Sequence, residues 1–135
     1  MKKYAYIGAG GFVGAIFRYL AEGVKPSEFW GAFPINTLII NTLGCFLLAL
    51  FLTIAMELWE LKAELRLGLA TGLLGAFTTF STFCGEVADL LTKNLYFTAI
   101  TYLIASAVLG IAFVYLATVL GREIIMKQLK GGGSH

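Results

Sequence analysis

Four long apolar runs dominate the chain, and only short polar segments separate them. The runs extend over Tyr4 to Ala21, Phe33 to Met56, Leu65 to Leu91 and Leu95 to Leu120. A helix of about 20 apolar residues crosses the hydrocarbon core of a bilayer, so the pattern predicts four transmembrane helices. The short connections lie around Lys25 to Ser27, Glu57 to Glu64 and Thr92 to Asn94. They leave no room for a soluble domain, which predicts a single four-helix transmembrane domain over residues 1–130.

The composition supports a membrane location. The 135 residues are 59% hydrophobic and only 13% charged, with a mean hydropathy of +0.83. A soluble domain carries about twice that charged fraction, and a disordered chain is far less hydrophobic. A net charge of +2 is too small for a nucleic-acid-binding surface. We therefore predict an all-α, multi-pass protein of the cell inner or plasma membrane, with residues 131–135 as a linker and tag remnant.

The third run is longer than one bilayer crossing requires. Its roughly 27 residues would extend about 40 Å as a continuous helix, against a hydrocarbon core of about 30 Å. Its centre, Gly72 to Phe83, combines glycines with β-branched hydroxyl residues that favour helix poorly. This pattern predicts a helix broken near its middle. A tilted, intact helix whose hydroxyls bond to their own backbone is the alternative.

Basic residues predict the orientation. An even number of spans places both termini on one side, together with Lys2, Lys3, Lys62, Arg66, Arg122, Lys127 and Lys130. The opposite side carries Lys25 and Lys93. By the positive-inside rule, the termini are predicted to be cytoplasmic.

Polar residues inside the first two runs are candidate functional groups, because burying them in lipid without a partner costs several kcal/mol. In the first run, Gly10 and Gly14 form a G-x-x-x-G pattern that predicts close helix packing. Arg18 can extend to the headgroups or face an aqueous vestibule. In the second run, Asn41 shares a face with Thr37, and its amide is either a link between helices or a donor to a solute.

Aromatic and hydroxyl residues alternate in the third run. Phe77, Phe80 and Phe83 recur every third residue, with Ser81 and Thr82 between them and Glu86 about a turn later. Such a stripe is usually core packing, but ring edges carry partial positive charge and can also favour an anion. In the fourth run, Tyr102 and Ser106 share a face. Their hydroxyls either bond to their own helix or form a polar track.

Catalytic patterns are missing from the sequence. There is no phosphate-binding glycine loop, no Ser-His-Asp or Cys-His set and no zinc-protease motif. The one histidine, His135, lies in the predicted tag remnant, and Cys45 and Cys84 fall inside apolar runs as small hydrophobic residues. The sequence therefore predicts a protein that is not an enzyme.

Three segments together resemble the Fluc (CrcB) family of fluoride channels. They are Gly10 to Tyr19, Asn36 to Gly44 and Gly72 to Phe83, the last being the most specific. The resemblance implies an antiparallel, dual-topology homodimer with two fluoride pathways and a central structural Na⁺. It also implies passive export of cytoplasmic fluoride down its electrochemical gradient.

The resemblance assigns roles to individual residues. The fluoride pathway it implies contains Asn41, Phe80, Phe83, Ser81, Thr82, Tyr102, Ser106 and the vestibule residue Arg18. It also implies that backbone carbonyls of Gly75 and Thr78 hold the Na⁺. Amide, hydroxyl and ring-edge donors can replace part of the hydration shell of a small anion, and carbonyl oxygens suit a hard cation.

The excess of Lys and Arg on the side of the termini is at odds with equal insertion in both orientations.

Two other functions also fit four short helices: a small multidrug-type proton-coupled exporter and a non-conducting tetraspan scaffold. Exporters of that type resemble one another in a buried glutamate of the first helix, where this chain has Arg18 instead.

Overall fold

The computed structural model describes residues 2–23, 32–57 and 62–131. This part of the chain forms helices and turns only, as predicted. The first helix, α1, is Lys2–Glu22, and the second, α2, is Ile35–Glu57. A composite third helix occupies Ala63–Thr92, and the last helix, α6, is Tyr96–Gly131. The predicted connection around Lys25 to Ser27 lies outside the described residues, as does all of the predicted linker and tag remnant (131–135) except Gly131.

The third helix is built from four pieces. It begins with α3 (Ala63–Leu67), continues as a π-helical segment (Gly68–Leu74) and α4 (Gly75–Phe77), and resumes as α5 (Phe80–Thr92). Between α4 and α5 the backbone is extended, with ψ of 154° at Thr78 and φ, ψ of −139°, 113° at Thr79. The predicted break near the middle is therefore confirmed, and the intact tilted helix is wrong.

Within the part of the chain that the structure describes, three helices are long and apolar enough to cross a membrane. These segments are Ile35–Ala55, Ala63–Thr92 and Tyr96–Leu129. Helix α1 is not among them, although the sequence predicted four spans. Its glycines, lysines and Arg18 lower its hydropathy, and it lies against the third helix rather than standing alone.

Glycines bring α1 into backbone contact with the π segment. A Cβ at Gly10 would overlap the Gly68 carbonyl oxygen, and one at Gly14 would overlap the Leu73 carbonyl oxygen. The converse holds at Gly72, where a Cβ would meet the Ile7 oxygen at 2.5 Å. The predicted packing role of the G-x-x-x-G pattern is confirmed. Tyr6 lies next to Gly68, and Gly14 lies next to Leu73. Residue numbers therefore increase in the same direction along both helices, which run parallel.

A small apolar cluster joins α2, α5 and α6. It consists of Leu38, Leu90, Ala99 and the fully buried Tyr102. Most other large apolar side chains of α6 are exposed, which suits a surface that faces lipid or another chain.

Helix α6 ends about ten residues later than predicted. The apolar run stops at Leu120, but the helix continues to Gly131. Its 36 residues extend about 54 Å, well beyond a hydrocarbon core of about 30 Å. The fall in hydropathy after Leu120 therefore does not mark the end of the helix. The predicted turn after Thr92 is confirmed, with Asn94 at φ 59° in the left-handed region.

Candidate functional site at the helix break

Thr79 caps the second half of the broken helix. Its hydroxyl oxygen accepts a hydrogen bond from the Thr82 backbone N–H at 3.2 Å and donates to the Thr82 hydroxyl at 2.8 Å. The first turn of α5 thus has a side-chain cap in the interior of the chain, where Thr79 is only 4% exposed. The N-terminal end of this helix carries a partial positive charge directed into the break.

Asn41 ties α2 to the same residue. The Thr79 backbone N–H donates to Asn41 Oδ1 at 2.8 Å, and Asn41 Nδ2 donates to the Thr79 carbonyl oxygen at 3.0 Å. In an uninterrupted helix the Thr79 N–H would bond to the Gly75 carbonyl. Asn41 Oδ1 therefore accepts the hydrogen bond from the Thr79 N–H that a continuous helix would give to Gly75. The second N–H of the Asn41 amide is left for another partner.

The carbonyl oxygens at the end of α4 consequently lack regular helical donors. Gly75 accepts a hydrogen bond from the Thr78 hydroxyl at 3.3 Å, which leaves its second lone pair available. The Thr82 N–H, which would reach the Thr78 carbonyl in a continuous helix, bonds to the Thr79 side chain instead. These oxygens fit a hard cation such as Na⁺. Within the described ranges, no group of three His, Cys, Asp or Glu residues offers an alternative metal site.

Gly44 lets the break approach α2. A Cβ on Gly44 would overlap the Thr78 methyl group and would contact the Phe77 ring at 3.4 Å. Only a residue without a side chain allows Thr78 to lie against α2 at this point.

A cavity of about 520 Å³ opens beside the break. Its walls come from α2, α5, α6 and the extended residues between α4 and α5. They are formed by Asn41, Gly44, Cys45, Leu48, Thr78, Thr79, Phe80, Phe83, Leu103, Ser106 and Ala107. No lysine, arginine or acidic residue is among them. The cavity therefore presents apolar walls with a few hydrogen-bonding groups.

Two phenylalanines of α5 form the aromatic part of the wall. The Phe80 and Phe83 ring centroids are 6.0 Å apart with their planes at 31°, and the Phe83 ring lies 5.1 Å from that of Tyr102. Phe80 is 77% exposed, so this chain leaves most of its ring uncovered. Phe77 belongs to α4, on the other side of the break, and the predicted three-residue stripe is interrupted there.

Hydroxyl groups are divided between the cavity and its surroundings. Ser106 lines the cavity, and its buried hydroxyl has no partner among the described residues. Thr82 and Ser81 lie at the start of α5 but do not line the cavity, and Ser81 Oγ is 3.5 Å from Thr79 Oγ1. Among the residues that line the cavity, Ser106 is therefore the one whose buried hydroxyl has no assigned hydrogen-bond partner.

Glu86 is held by two neutral hydroxyl groups. Thr37 donates to Glu86 Oε1 and Tyr102 donates to Glu86 Oε2, both at 2.7 Å. Tyr102 is therefore engaged behind the Phe83 ring and does not line the cavity. No basic side chain in the described ranges forms an ion pair with Glu86.

Arg18 lies outside the cavity. Its Nε is 3.7 Å from Glu22 Oε1, one turn further along α1, and both side chains are partly exposed. The structure of one chain thus brings together Asn41, Phe80, Phe83 and Ser106, with Gly75 and Thr78 at the adjacent break. The vestibule role implied for Arg18 stays a prediction.

The sequence did not single out Thr79 as a site residue. A hydroxyl residue directly before a helix is a common N-cap. The position of Thr79 directly before Phe80 to Phe83 could therefore have predicted a helix cap there. The pairing of Thr37 and Tyr102 with Glu86 spans 49 and 16 residues and has no comparable local signal.

Comparison with known proteins assigns the chain to a family. The sequence profile described as "CrcB-like protein, Camphor Resistance (CrcB)" matches residues 5–118. A protein of Prosthecochloris aestuarii named "Fluoride-specific ion channel FluC" is 46% identical over 86% of this chain and 90% of its own length. A Bacillus cereus protein named "Fluoride-specific ion channel FluC 1" is 40% identical over 98% of both chains. The chain therefore belongs to the CrcB family of multi-pass membrane proteins.

Proposed function

We propose that this protein is a fluoride-selective channel through which cytoplasmic fluoride leaves the cell down its electrochemical gradient. The similar proteins named as fluoride-specific channels support this assignment. The observation that carries it is the cavity beside the break. The rings of Phe80 and Phe83, the unpartnered Ser106 hydroxyl and the N-terminal end of α5 converge there, and none of the described residues that line it is charged.

The chemistry of this cavity suits a small, strongly hydrated anion that must also be released. Fluoride needs hydrogen-bond donors in place of lost water, and the remaining Asn41 N–H and the Ser106 hydroxyl are such donors. The edges of Phe80 and Phe83 add partial positive charge without a formal cation. A lysine or arginine in the same position would hold the ion more tightly and slow its exit.

A second copy of the chain would complete the pathway. The Phe80 ring is 77% exposed and the cavity is open at the surface of one chain. An antiparallel, dual-topology homodimer would cover this face twice and create two fluoride pathways. In this assembly α1 is the fourth spanning helix, with Arg18 near the vestibule. Because α1 packs along the third helix through backbone contacts, it need not be highly apolar itself.

The dimer also offers a place for a structural Na⁺. Carbonyl oxygens of Gly75 and Thr78 from two breaks would supply four ligands across a twofold axis. An ion bound there would supply positive charge between the two electronegative helix ends. The diversion of the Thr79 N–H to Asn41 is what makes the Gly75 oxygen available.

The two competing functions find less support. A proton-coupled exporter requires an exchangeable acid facing its substrate, whereas Glu86 is bonded to Thr37 and Tyr102 behind the cavity wall. A non-conducting scaffold leaves the similarity to proteins named as fluoride-specific ion channels without an explanation.

Ion flux from proteoliposomes tests the proposal directly. Purified protein is reconstituted with potassium fluoride inside, a potassium ionophore balances the charge, and an electrode records the released fluoride. We expect rapid fluoride release and no chloride release from parallel vesicles. Equal release of both ions, or none of either, would rule out a fluoride-selective channel.

Labelling of the chain termini tests the topology. A single cysteine introduced near the C-terminus of a Cys45→Ala, Cys84→Ala protein is exposed to an impermeant thiol reagent on intact cells. Dual topology predicts that about half of the protein is labelled. Labelling on one side only would contradict the antiparallel dimer, in agreement with the uneven distribution of Lys and Arg.

A further inference from the structure

Three lysines gather where α1 and the third helix begin side by side. Lys2 and Lys3 open α1, and Lys62 directly precedes α3. Two adjoining cavities of about 320 Å³ and 240 Å³ lie among them. Lys2 and Glu64 line both cavities, Lys3 lines the first, and Lys62 lines the second. Side chains from two helices thus surround a common space.

The charge of this space is positive and unbalanced. Among the described residues, Glu64 is the single acidic residue in the two cavity walls, against three lysines. The ion pairs found in the described part of the chain join Arg18 to Glu22 and Lys93 to Asp89, so neither involves these lysines. Lys3 Nζ lies 5.1 Å from the centroid of the Tyr4 ring, and none of the three ammonium groups has a carboxylate partner among the described residues.

The remaining walls are apolar and lie next to the lysines along the helices. Leu67 lines the first cavity, and Leu65 and Tyr6 line the second. All three side chains are partly exposed, with Tyr6 the most so at 47%. Aromatic and aliphatic side chains beside lysines at the start of a spanning helix are typical of the membrane interface.

We propose that these two cavities bind the phosphate group of an anionic phospholipid. The lysines at the mouth would contact the phosphate, while Leu65, Leu67 and Tyr6 would accommodate the start of the acyl chains. Basic pockets between membrane helices recognise lipid headgroups through this combination of charge and apolar surface. A free phosphate ion has no apolar part that could contact these walls. A phospholipid has one, and we therefore expect it to bind better. The proposal does not depend on fluoride conduction.

Lipid binding can be measured on the purified full-length chain in a neutral detergent. Native mass spectrometry would count bound dioleoyl phosphatidylglycerol or dioleoyl phosphatidylcholine over a concentration series. We expect the wild-type protein to prefer phosphatidylglycerol. The double variant K2Q/K62Q is expected to bind it about thirtyfold more weakly, since each basic group near an anionic lipid contributes appreciably.

A matched control separates this site from general electrostatic attraction. The variant R122Q/K127Q removes the same charge from the exposed end of α6, outside both cavities, and is expected to bind phosphatidylglycerol as the wild type does. Equal weakening in both variants, or no lipid preference in the wild type, would overturn the proposal. Displacement of the lipid by an equal concentration of inorganic phosphate would also overturn it. None of these readouts uses fluoride flux, so failure here leaves the proposed channel function untouched.

Discussion

The side-chain amide of Asn41 forms two hydrogen bonds with the backbone of Thr79. Thr79 N–H donates to Oδ1 at 2.8 Å, and Nδ2 donates to the Thr79 carbonyl at 3.0 Å. Asn41 thus replaces the helical partners of the residue at the break, which connects α2 to the site. The same contact frees the Gly75 carbonyl and places the amide in the cavity wall. One residue couples the shape of the third helix to the chemistry beside it.

Replacing Asn41 with leucine should damage both stability and flux. The variant keeps the number and branching of the side-chain heavy atoms but leaves the Thr79 N–H and carbonyl without these partners. We expect a loss of about 1–3 kcal/mol of stability and more than a tenfold loss of fluoride release. Thermal denaturation in detergent and the fluoride electrode measure the two effects. As a control, Thr53→Val on the same helix removes only a bond to the Ala49 carbonyl and should change flux little.

Replacing Phe80 or Phe83 with isoleucine should greatly reduce fluoride flux in a protein that still folds. Isoleucine keeps the apolar bulk but lacks the positive ring edge. The control is Phe46→Ile, because Phe46 pairs with Phe113 at a centroid distance of 6.2 Å and does not line the cavity. Unchanged flux in both cavity variants would show that the rings do not contact the ion.

Replacing Gly44 with alanine should destabilise the break. The new methyl group would occupy the position of the Thr78 methyl group, and overpacking of this kind costs about 1–3 kcal/mol. The double variant Gly44→Ala, Thr78→Ser removes the opposing methyl group and should recover most of the melting temperature. Gly8→Ala, at a position with open space around it, is the neutral control. Failure of the double variant to recover would mean that another contact excludes a side chain at Gly44.

The hydrogen bond between Tyr102 and Glu86 should appear as an energetic coupling. In a double-mutant cycle, Tyr102→Phe should destabilise the wild type more than it destabilises a Glu86→Gln protein. The expected coupling is about 1–2 kcal/mol, since one partner of the bond is charged or strongly polar. Thermal stability measures it. Tyr96→Phe, whose hydroxyl donates to exposed Asn94, should show no coupling to Glu86.

Removing the Thr78 side chain should leave sodium binding largely intact. The proposed ligand is the backbone carbonyl, whereas the hydroxyl donates to the Leu74 and Gly75 carbonyls. If Na⁺ raises the melting temperature relative to N-methylglucamine, as the proposed site requires, we expect Thr78→Ala to retain at least half of that increase. Complete loss of that increase would identify the hydroxyl as the ligand instead.

The sequence by itself determined the helical class, most of the helix bounds and the place of the break. Runs of apolar residues make a membrane helix the only way to satisfy the backbone, and the glycine and threonine residues of Gly72 to Phe83 weaken that helix locally. The same reasoning placed the end of α6 too early, because hydropathy reports the lipid boundary and charged residues continue a helix readily.

Tertiary structure alone decided how the polar groups are used. Asn41 had been open to two roles, and only its position opposite Thr79 shows that its carbonyl and one N–H hold the break. Tyr102 looked like part of the same track as Ser106, yet its hydroxyl is bonded to Glu86 while that of Ser106 remains free in the cavity. Spacing along one helix fixes which side chains share a face. The partner of each hydrogen bond depends on which other helix meets that face, and that information lies in contacts between residues far apart in sequence.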